Sequence, residues 1–134
     1  MRQELIPLAG KKTMRIGGTA RFYADLTNTD DVEAAYGFAQ QERVPLIVLG
    51  GGSNTVFADG IIEALVVRIK AEGVYVDGNL VQAEAGKNLP MLINEMAKQN
   101  LGLSPLTGIL GTVGGAVFGN AGQGPAGIWI DTYV

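Results

Sequence analysis

Residues 46–54 (LIVLGGGSN) run four apolar residues directly into three glycines and two small polar residues. The apolar run predicts a buried strand, and the glycines predict a sharp turn at its end, because each of them can adopt φ > 0. Such a turn exposes backbone N–H groups that bind anions such as phosphate. A strand-ending turn without a ligand explains the same residues. The candidate anion contacts are Gly50, Gly51, Gly52, Ser53 and Asn54.

Two common phosphate-binding motifs do not fit this loop. No Lys-Ser/Thr pair follows the glycines at P-loop spacing, and the glycines lack the G-x-G-x-x-G spacing of dinucleotide-binding helices. The sequence therefore predicts a nucleotide loop of another kind.

The composition excludes several classes of function. The 134 residues are enough for one domain, and the net charge of −3 with no dense run of Lys or Arg argues against a nucleic-acid partner. The chain has no Cys and no His, which removes thiolate nucleophiles, imidazole bases and most zinc sites, so we expect no metal. The lack of Cys and of an apolar leader favours a cytoplasmic protein.

Residues 101–130 carry no charge and are long enough to cross a bilayer. They include nine glycines and two prolines, which would weaken a continuous helix and leave polar groups unsatisfied. We expect an irregular segment that is buried or faces a ligand, and no membrane partner.

The hydrophobic pattern of the first half predicts a βαβ unit. A strand at 21–26 precedes a helix that starts near the polar cluster 27–30 and ends before Pro45, and a second strand at 45–49 has cover on both faces. A further strand follows at 64–69. The apolar face of the helix is predicted to hold Val32, Ala35, Tyr36 and Ala39.

The second half has a different pattern. Residues 73–83 predict a hairpin around Gly78-Asn79, and Asn88 predicts the start of a helix. The last six residues are strand-like and indicate an unpaired strand, hence missing sequence. Two small α+β subdomains, 1–70 and 71–134, fit this pattern better than one sheet, the second being incomplete. The buried face of the second helix should hold Leu89, Leu92, Ile93 and Met96.

Three motifs together resemble the UDP-N-acetylenolpyruvoylglucosamine reductase family. They are RIGG at 15–18, LGGGSN at 49–54, and GILGTVGGAV at 108–117 followed by NAG at 120–122. The resemblance covers the flavin-binding part of the family and stops before its substrate domain. It implies a FAD-binding domain similar to that of vanillyl-alcohol oxidase and p-cresol methylhydroxylase, with two α+β subdomains and the flavin between them.

The resemblance also implies roles for individual residues. The loop 50–54 would hold the FAD pyrophosphate, and segment 109–116 would lie against the ribityl chain and isoalloxazine, with the Thr112 hydroxyl available to it. Arg15 is either a contact near the cofactor or part of a surface ion pair. The further candidate flavin contacts are Ala85, Gly86, Ile109, Gly111, Thr112, Gly114, Gly115 and Ala116.

The implied reaction is the NADPH-dependent, FAD-mediated reduction of UDP-N-acetylglucosamine enolpyruvate to UDP-N-acetylmuramate in peptidoglycan precursor synthesis. The family's catalytic arginine, proton-donating serine or cysteine, and glutamate all lie beyond the motifs present, so no catalytic residue is assigned. Leu110 stands where the family usually has proline, and Gln123 marks a stretch where an expected aromatic residue is absent. The alternatives are a stand-alone FAD-binding module that needs a partner chain, and a structural fragment that binds no cofactor.

Overall fold

The computed structural model of the chain describes residues 2–11, 17–123 and 128–134. It divides into two compact units, Met1–Ala71 and Glu72–Val134. Each unit combines strands with helices, so the α+β class expected from the sequence is confirmed.

The first unit is built on a four-stranded sheet. Its strands are β1 (Arg2–Pro7), β2 (Thr19–Leu26), β3 (Leu46–Leu49) and β4 (Ile61–Ile69), in the order β1-β2-β4-β3. Strands β2, β4 and β3 are parallel, and β1 pairs antiparallel with β2. The predicted βαβ unit is present, but β4 lies between its two strands. Strand β1 was not predicted.

Both faces of this sheet are covered by apolar side chains. The helix face carries Phe22, Leu65 and Val67, which pack against Ala35 and Ala39 of helix α1 (Thr29–Glu42). A register shift between Ala20 and Phe22 places these two residues on different faces despite their spacing of two. The other side, called the opposite face below, buries Leu8, Ala20, Tyr23, Leu49 and Val66.

Helix α1 begins as predicted, but its buried face differs from the prediction. The Asn28 side chain caps the helix by accepting from the Asp31 N–H at 3.0 Å. Ala35 and Ala39 are buried, whereas Val32 is 47% and Tyr36 62% exposed. Tyr36 lies about 100° round the helix from Ala35. The buried face is instead centred towards Phe38, whose ring meets that of Phe22 edge-on at 5.0 Å.

The prediction that the second strand is covered on both faces is wrong. Helix α1 packs on β2 and β4, whereas β3 is the edge strand of the sheet. Val48 of β3 consequently remains 62% exposed on the helix face.

The second unit contains the predicted hairpin and helix. Strands β5 (Val74–Asp77) and β6 (Leu80–Ala83) pair around a turn in which Gly78 has φ of 58°. Asn88 caps helix α2 (Leu89–Ala97) by accepting from the Met91 N–H at 3.0 Å. The predicted apolar face of α2 is confirmed, since all four of its residues are buried: Leu89, Leu92, Ile93 and Met96.

The uncharged segment is more ordered than the sequence suggested. It contains helix α3 (Val113–Phe118) and two-residue strands β7 (Gly122–Gln123) and β8 (Ile128–Trp129), so the expectation of an irregular segment is wrong there. The expected unpaired final strand is also wrong, because β8 pairs with β7 and Ile130–Thr132 forms a 3₁₀ helix. In the described ranges, no helix combines the length and hydropathy that a membrane span requires.

Candidate functional site

The glycine loop leaves the sheet where the parallel strands end. Leu49, the last residue of β3, is fully buried, and the chain turns directly into residues 50–54. Residues 50–60 then return to the start of β4, so this loop forms the crossover between two parallel neighbours without a helix. In open sheets of this kind, ligands bind beyond the carboxyl ends of the strands. The loop therefore begins where a ligand is expected.

The conformation of the loop depends on one of its three glycines. Gly52 is buried and has φ of 67°, a left-handed conformation that L side chains adopt only with strain. Gly50 and Gly51 are partly buried and do not have positive φ. Among these three residues, only Gly52 therefore has a backbone conformation that requires glycine. Ser53 is partly buried and Asn54 exposed, which leaves the Asn54 side chain accessible from solvent.

The Gly17-Gly18 pair of the first motif contacts the end of this loop that returns to β4. Gly18 has φ of 46°, and a Cβ added to it would lie 2.8 Å from the Ala58 carbonyl oxygen. The Thr19 N–H donates to the Gly60 carbonyl at 2.8 Å, and Phe57 packs against the opposite face. The motif thus has a structural function in holding the returning part of the loop. Arg15 lies outside the described residues, and its two readings stay predictions.

In the second unit, the structure brings together two of the segments predicted to contact the flavin. The Gly114 N–H donates to the Ala85 carbonyl at 2.9 Å, and the Val113 N–H donates to the Lys87 carbonyl at 2.9 Å. The Leu89 N–H completes the set by donating to the Gly111 carbonyl at 3.0 Å. Residues 85–89 therefore lie beside residues 111–114.

Gly114 is needed for this contact. A Cβ at Gly114 would lie 2.7 Å from the Ala85 Cβ and 3.0 Å from its carbonyl oxygen. Such distances are far shorter than van der Waals contact, so the bare backbone of Gly114 serves close packing against Ala85. Gly111 has φ of 111°, a conformation that also favours glycine at this position.

Thr112 holds the start of α3. Its side chain is 9% exposed, and its Oγ1 accepts from the Gly115 N–H at 3.2 Å. The Ala116 N–H donates to the Thr112 carbonyl at 2.9 Å. The N–H groups of Gly114, Gly115 and Ala116 are thus all paired within the protein. A flavin contact at residues 114–116 would therefore use Cα surfaces, carbonyl oxygens or the Thr112 hydroxyl proton.

The remaining predicted residues differ in accessibility. Ala116 is 5% exposed in a core cluster with Leu89 and Ile93, and Ile109 packs against that cluster. Gly86 is buried, whereas Ala85 and Gly115 are exposed. The accessible part of the predicted flavin surface in this unit therefore centres on Ala85 and Gly115, and Ala116 supports it from within the core.

A polar cluster that sequence reasoning missed lies on the opposite face of the first unit. The Tyr23 hydroxyl donates to Asp25 Oδ1 at 2.7 Å, and the Lys11 Nζ lies 4.8 Å from the centroid of the Tyr23 ring. Burial, together with the Asp25 carboxylate, raises the pKa of Tyr23, while Arg68 lowers it by a smaller amount. No motif marks this cluster, because Arg68 of β4 is brought beside Asp25 of β2 only by the register of the two strands.

Among the described residues, no group of three or more His, Cys, Asp or Glu side chains is arranged to hold a metal ion.

Comparison with known proteins gives a consistent result. A model of the FAD binding domain matches residues 20–130. The UDP-N-acetylenolpyruvoylglucosamine reductase of Synechococcus sp. (strain WH7803) is 39% identical over 124 residues, which are 90% of this chain and 40% of that protein. Its counterpart from Rubrobacter xylanophilus is 41% identical over 119 residues, 87% of this chain and 40% of that protein.

A solved structure is similar as well. The crystal structure of UDP-N-acetylenolpyruvylglucosamine reductase (MurB) from Thermus caldophilus matches with a TM-score of 0.72 and 31% identity, covering 92% of this chain and 42% of that one. The chain thus spans about two fifths of the length of these relatives. The resemblance drawn from the three motifs and the expectation of FAD as cofactor are confirmed, and the match over residues 20–130 shows that the chain belongs to the FAD binding domain family.

Proposed function

We propose that this chain is the FAD-binding part of a UDP-N-acetylenolpyruvoylglucosamine reductase. The full-length enzyme would reduce UDP-N-acetylglucosamine enolpyruvate to UDP-N-acetylmuramate in the cytoplasm, with NADPH as hydride donor. The observation that carries the proposal is the FAD binding domain match over residues 20–130, which includes both the glycine loop and the segment 109–116.

The geometry of each unit fits part of such a cofactor. In the first unit, the loop 50–54 places three glycines and two small polar side chains at the carboxyl edge of the sheet, so that a pyrophosphate can approach the backbone closely. In the second unit, Ala85, Gly111 and Gly115 present little side chain, so a flat ring can approach the backbone there.

Bound FAD would supply the hydride chemistry, and the residues of this chain would bind and orient it. The chain has no His and no Cys that could act as proton donor or base. Oγ1 of Thr112 already accepts the Gly115 N–H, which ties that hydroxyl to the helix cap. We therefore propose that the 134 residues bind the cofactor without reducing the enolpyruvyl substrate.

Titration with FAD, followed by calorimetry and flavin fluorescence, tests the binding proposal. We expect one FAD per chain, and a lack of saturable binding would refute the proposal. Stopped-flow mixing of the pre-reduced flavoprotein with the enolpyruvyl nucleotide under anaerobic conditions tests the second part. Flavin reoxidation at roughly one per second or faster would show that the catalytic groups lie within these residues.

The alternative of a module that works with a partner chain has its own readout. Gel filtration with mass analysis of the native protein would reveal a stoichiometric second chain if the module hypothesis is right. The reductase hypothesis predicts that this chain elutes without one.

A further inference from the structure

Arg68 lies next to the start of the glycine loop. The register of the parallel strands pairs Arg68 of β4 with Leu49 of β3, and Gly50 follows Leu49 directly. Residues paired across neighbouring strands point to the same side of a sheet. Leu49 is buried on the opposite face, so Arg68 projects on that face too. The loop passes over the same face, and its residue Phe57 packs against the apolar side chains there.

Arg68 belongs to a polar cluster with Tyr23, Asp25 and Lys11. On its other side Arg68 pairs with Asp25 of β2, whose carboxylate accepts the Tyr23 hydroxyl at 2.7 Å. Arg68 also lies near enough to Tyr23 to lower its pKa, and the Lys11 ammonium lies over the Tyr23 ring. Among the described residues, this cluster contains two cations, Arg68 itself and Lys11, and the single carboxylate of Asp25, in a chain whose net charge is −3.

The guanidinium keeps donors for a ligand. It carries five N–H groups in a planar fork, of which the phenol oxygen of Tyr23 could accept at most one or two. Arg68 is partly buried on the same face as Tyr23, near the carboxyl end of β4, and this burial limits the rotamers of its guanidinium. An arginine fork is well suited to phosphate oxygens, which it binds in bidentate fashion.

We propose that Arg68 donates to a phosphate of the bound dinucleotide, oriented by Tyr23 and assisted by the charge of Lys11. The inference rests on the proposed FAD binding. The N–H groups of a loop supply only partial charges, whereas a diphosphate carries full negative charges that a cation at this position would neutralise. Tyr23 is accordingly a positioning residue, and Arg68 is the phosphate contact.

Calorimetric titration of the full chain with FAD tests this proposal in the Arg68→Gln, Arg68→Lys and Tyr23→Phe variants. Arg68→Gln should weaken FAD binding by roughly 10-fold to 100-fold, the range for one charge-assisted hydrogen bond. Arg68→Lys should lose less, because it keeps the charge without the fork. Tyr23→Phe should lose roughly 3-fold to 10-fold, since it removes only the orienting hydroxyl.

Arg21→Gln is the matched control. Arg21 lies on the neighbouring strand β2, is 49% exposed, and pairs with Glu63 at 2.5 Å, so its loss should leave FAD affinity unchanged. The ³¹P resonances of saturating FAD provide a readout that a purely structural role would not move. We expect them to shift in Arg68→Gln relative to wild type and to stay in place in Arg21→Gln.

The possible outcomes separate this inference from the proposed function. Wild-type affinity in Arg68→Gln, or unchanged ³¹P resonances in that variant, would overturn the role of Arg68 while leaving FAD binding intact. A wild-type chain that fails to bind FAD would overturn both. If Arg68→Gln does not fold, as judged by circular dichroism, Arg68→Lys and Tyr23→Phe decide the question by the same two readouts.

Discussion

Replacing Gly114 by alanine tests the contact that joins the two candidate segments of the second unit. The new Cβ would lie 2.7 Å from the Ala85 Cβ and 3.0 Å from the Ala85 carbonyl oxygen, which is backbone and cannot swing away. Overpacking of this kind costs about 1–3 kcal/mol. Alanine would also favour helix α3 by about 1 kcal/mol relative to glycine. The clash should dominate, and we expect a net loss of up to roughly 2 kcal/mol in the free energy of unfolding.

Gly115→Ala is the matched control, because it lies in the same helix and gains the same helix propensity. Its Cβ would meet only the Thr112 Oγ1, at 3.3 Å. We expect this variant to be as stable as wild type or slightly more stable. A second substitution, Ala85→Gly, removes the nearest clashing atom and should recover part of the loss in a double-mutant cycle.

Urea unfolding followed by the fluorescence of Trp129, the single tryptophan of the chain, reports on this unit. The reasoning is refuted if Gly114→Ala unfolds at the same urea concentration as Gly115→Ala. It is also refuted if Ala85→Gly gives no recovery in the Gly114→Ala background.

Three further predictions concern the first unit. Gly52→Ala should reduce FAD affinity measurably, because alanine at φ of 67° costs about 1–2 kcal/mol. Gly37→Ala, whose Cβ would meet no atom within 4 Å, should leave FAD affinity unchanged. Fluorescence titration of both variants with FAD tests this prediction. The pKa of Tyr23 is raised in the folded chain, so the unfolded chain loses the phenol proton first and stability should fall as pH rises above about 10. In thermal melts above this pH, Tyr23→Phe should lack this loss of stability. Hydrogen bonds from Thr27 and Asn28 lower the pKa of Asp31, so its contribution to stability is present above the ordinary value of 3.8 and is lost as pH falls below it. An Asp31→Asn variant with the same acid sensitivity as wild type would contradict this assignment.

Local patterns were sufficient to predict several elements. Asn88 and the 3.6-residue spacing of apolar residues after it located α2 and its buried face, because both signals lie within the helix itself. Gly78-Asn79 located the hairpin turn for the same reason. The glycine loop was placed correctly after β3, since a strand followed by three glycines has few other structures available.

Features that depend on distant residues could not be predicted in this way. The insertion of β4 between β2 and β3 left β3 at the edge and Val48 exposed, which an apolar run alone does not reveal. The same applies to the candidate sites. The contact of Gly114 with Ala85, and the position of Arg68 beside Leu49, follow from backbone pairing between segments that are far apart in sequence.

Helix α3 was missed for a local reason. Two glycines in its first turns weaken the helix signal, and the cap by Thr112 is the feature that could have indicated it. The hydrogen bonds of that cap also occupy N–H groups that a ligand would otherwise reach.

The most direct test of the account is an NMR titration of the ¹⁵N-labelled chain with FAD. Binding in the proposed manner predicts saturable amide shifts in residues 50–54 of the first unit and around Ala85, Gly111 and Gly115 of the second. Both sets should saturate at one FAD per chain with the same affinity. Saturable shifts confined to other parts of the chain, or no saturable shifts at all, would contradict the proposal that these residues hold the cofactor.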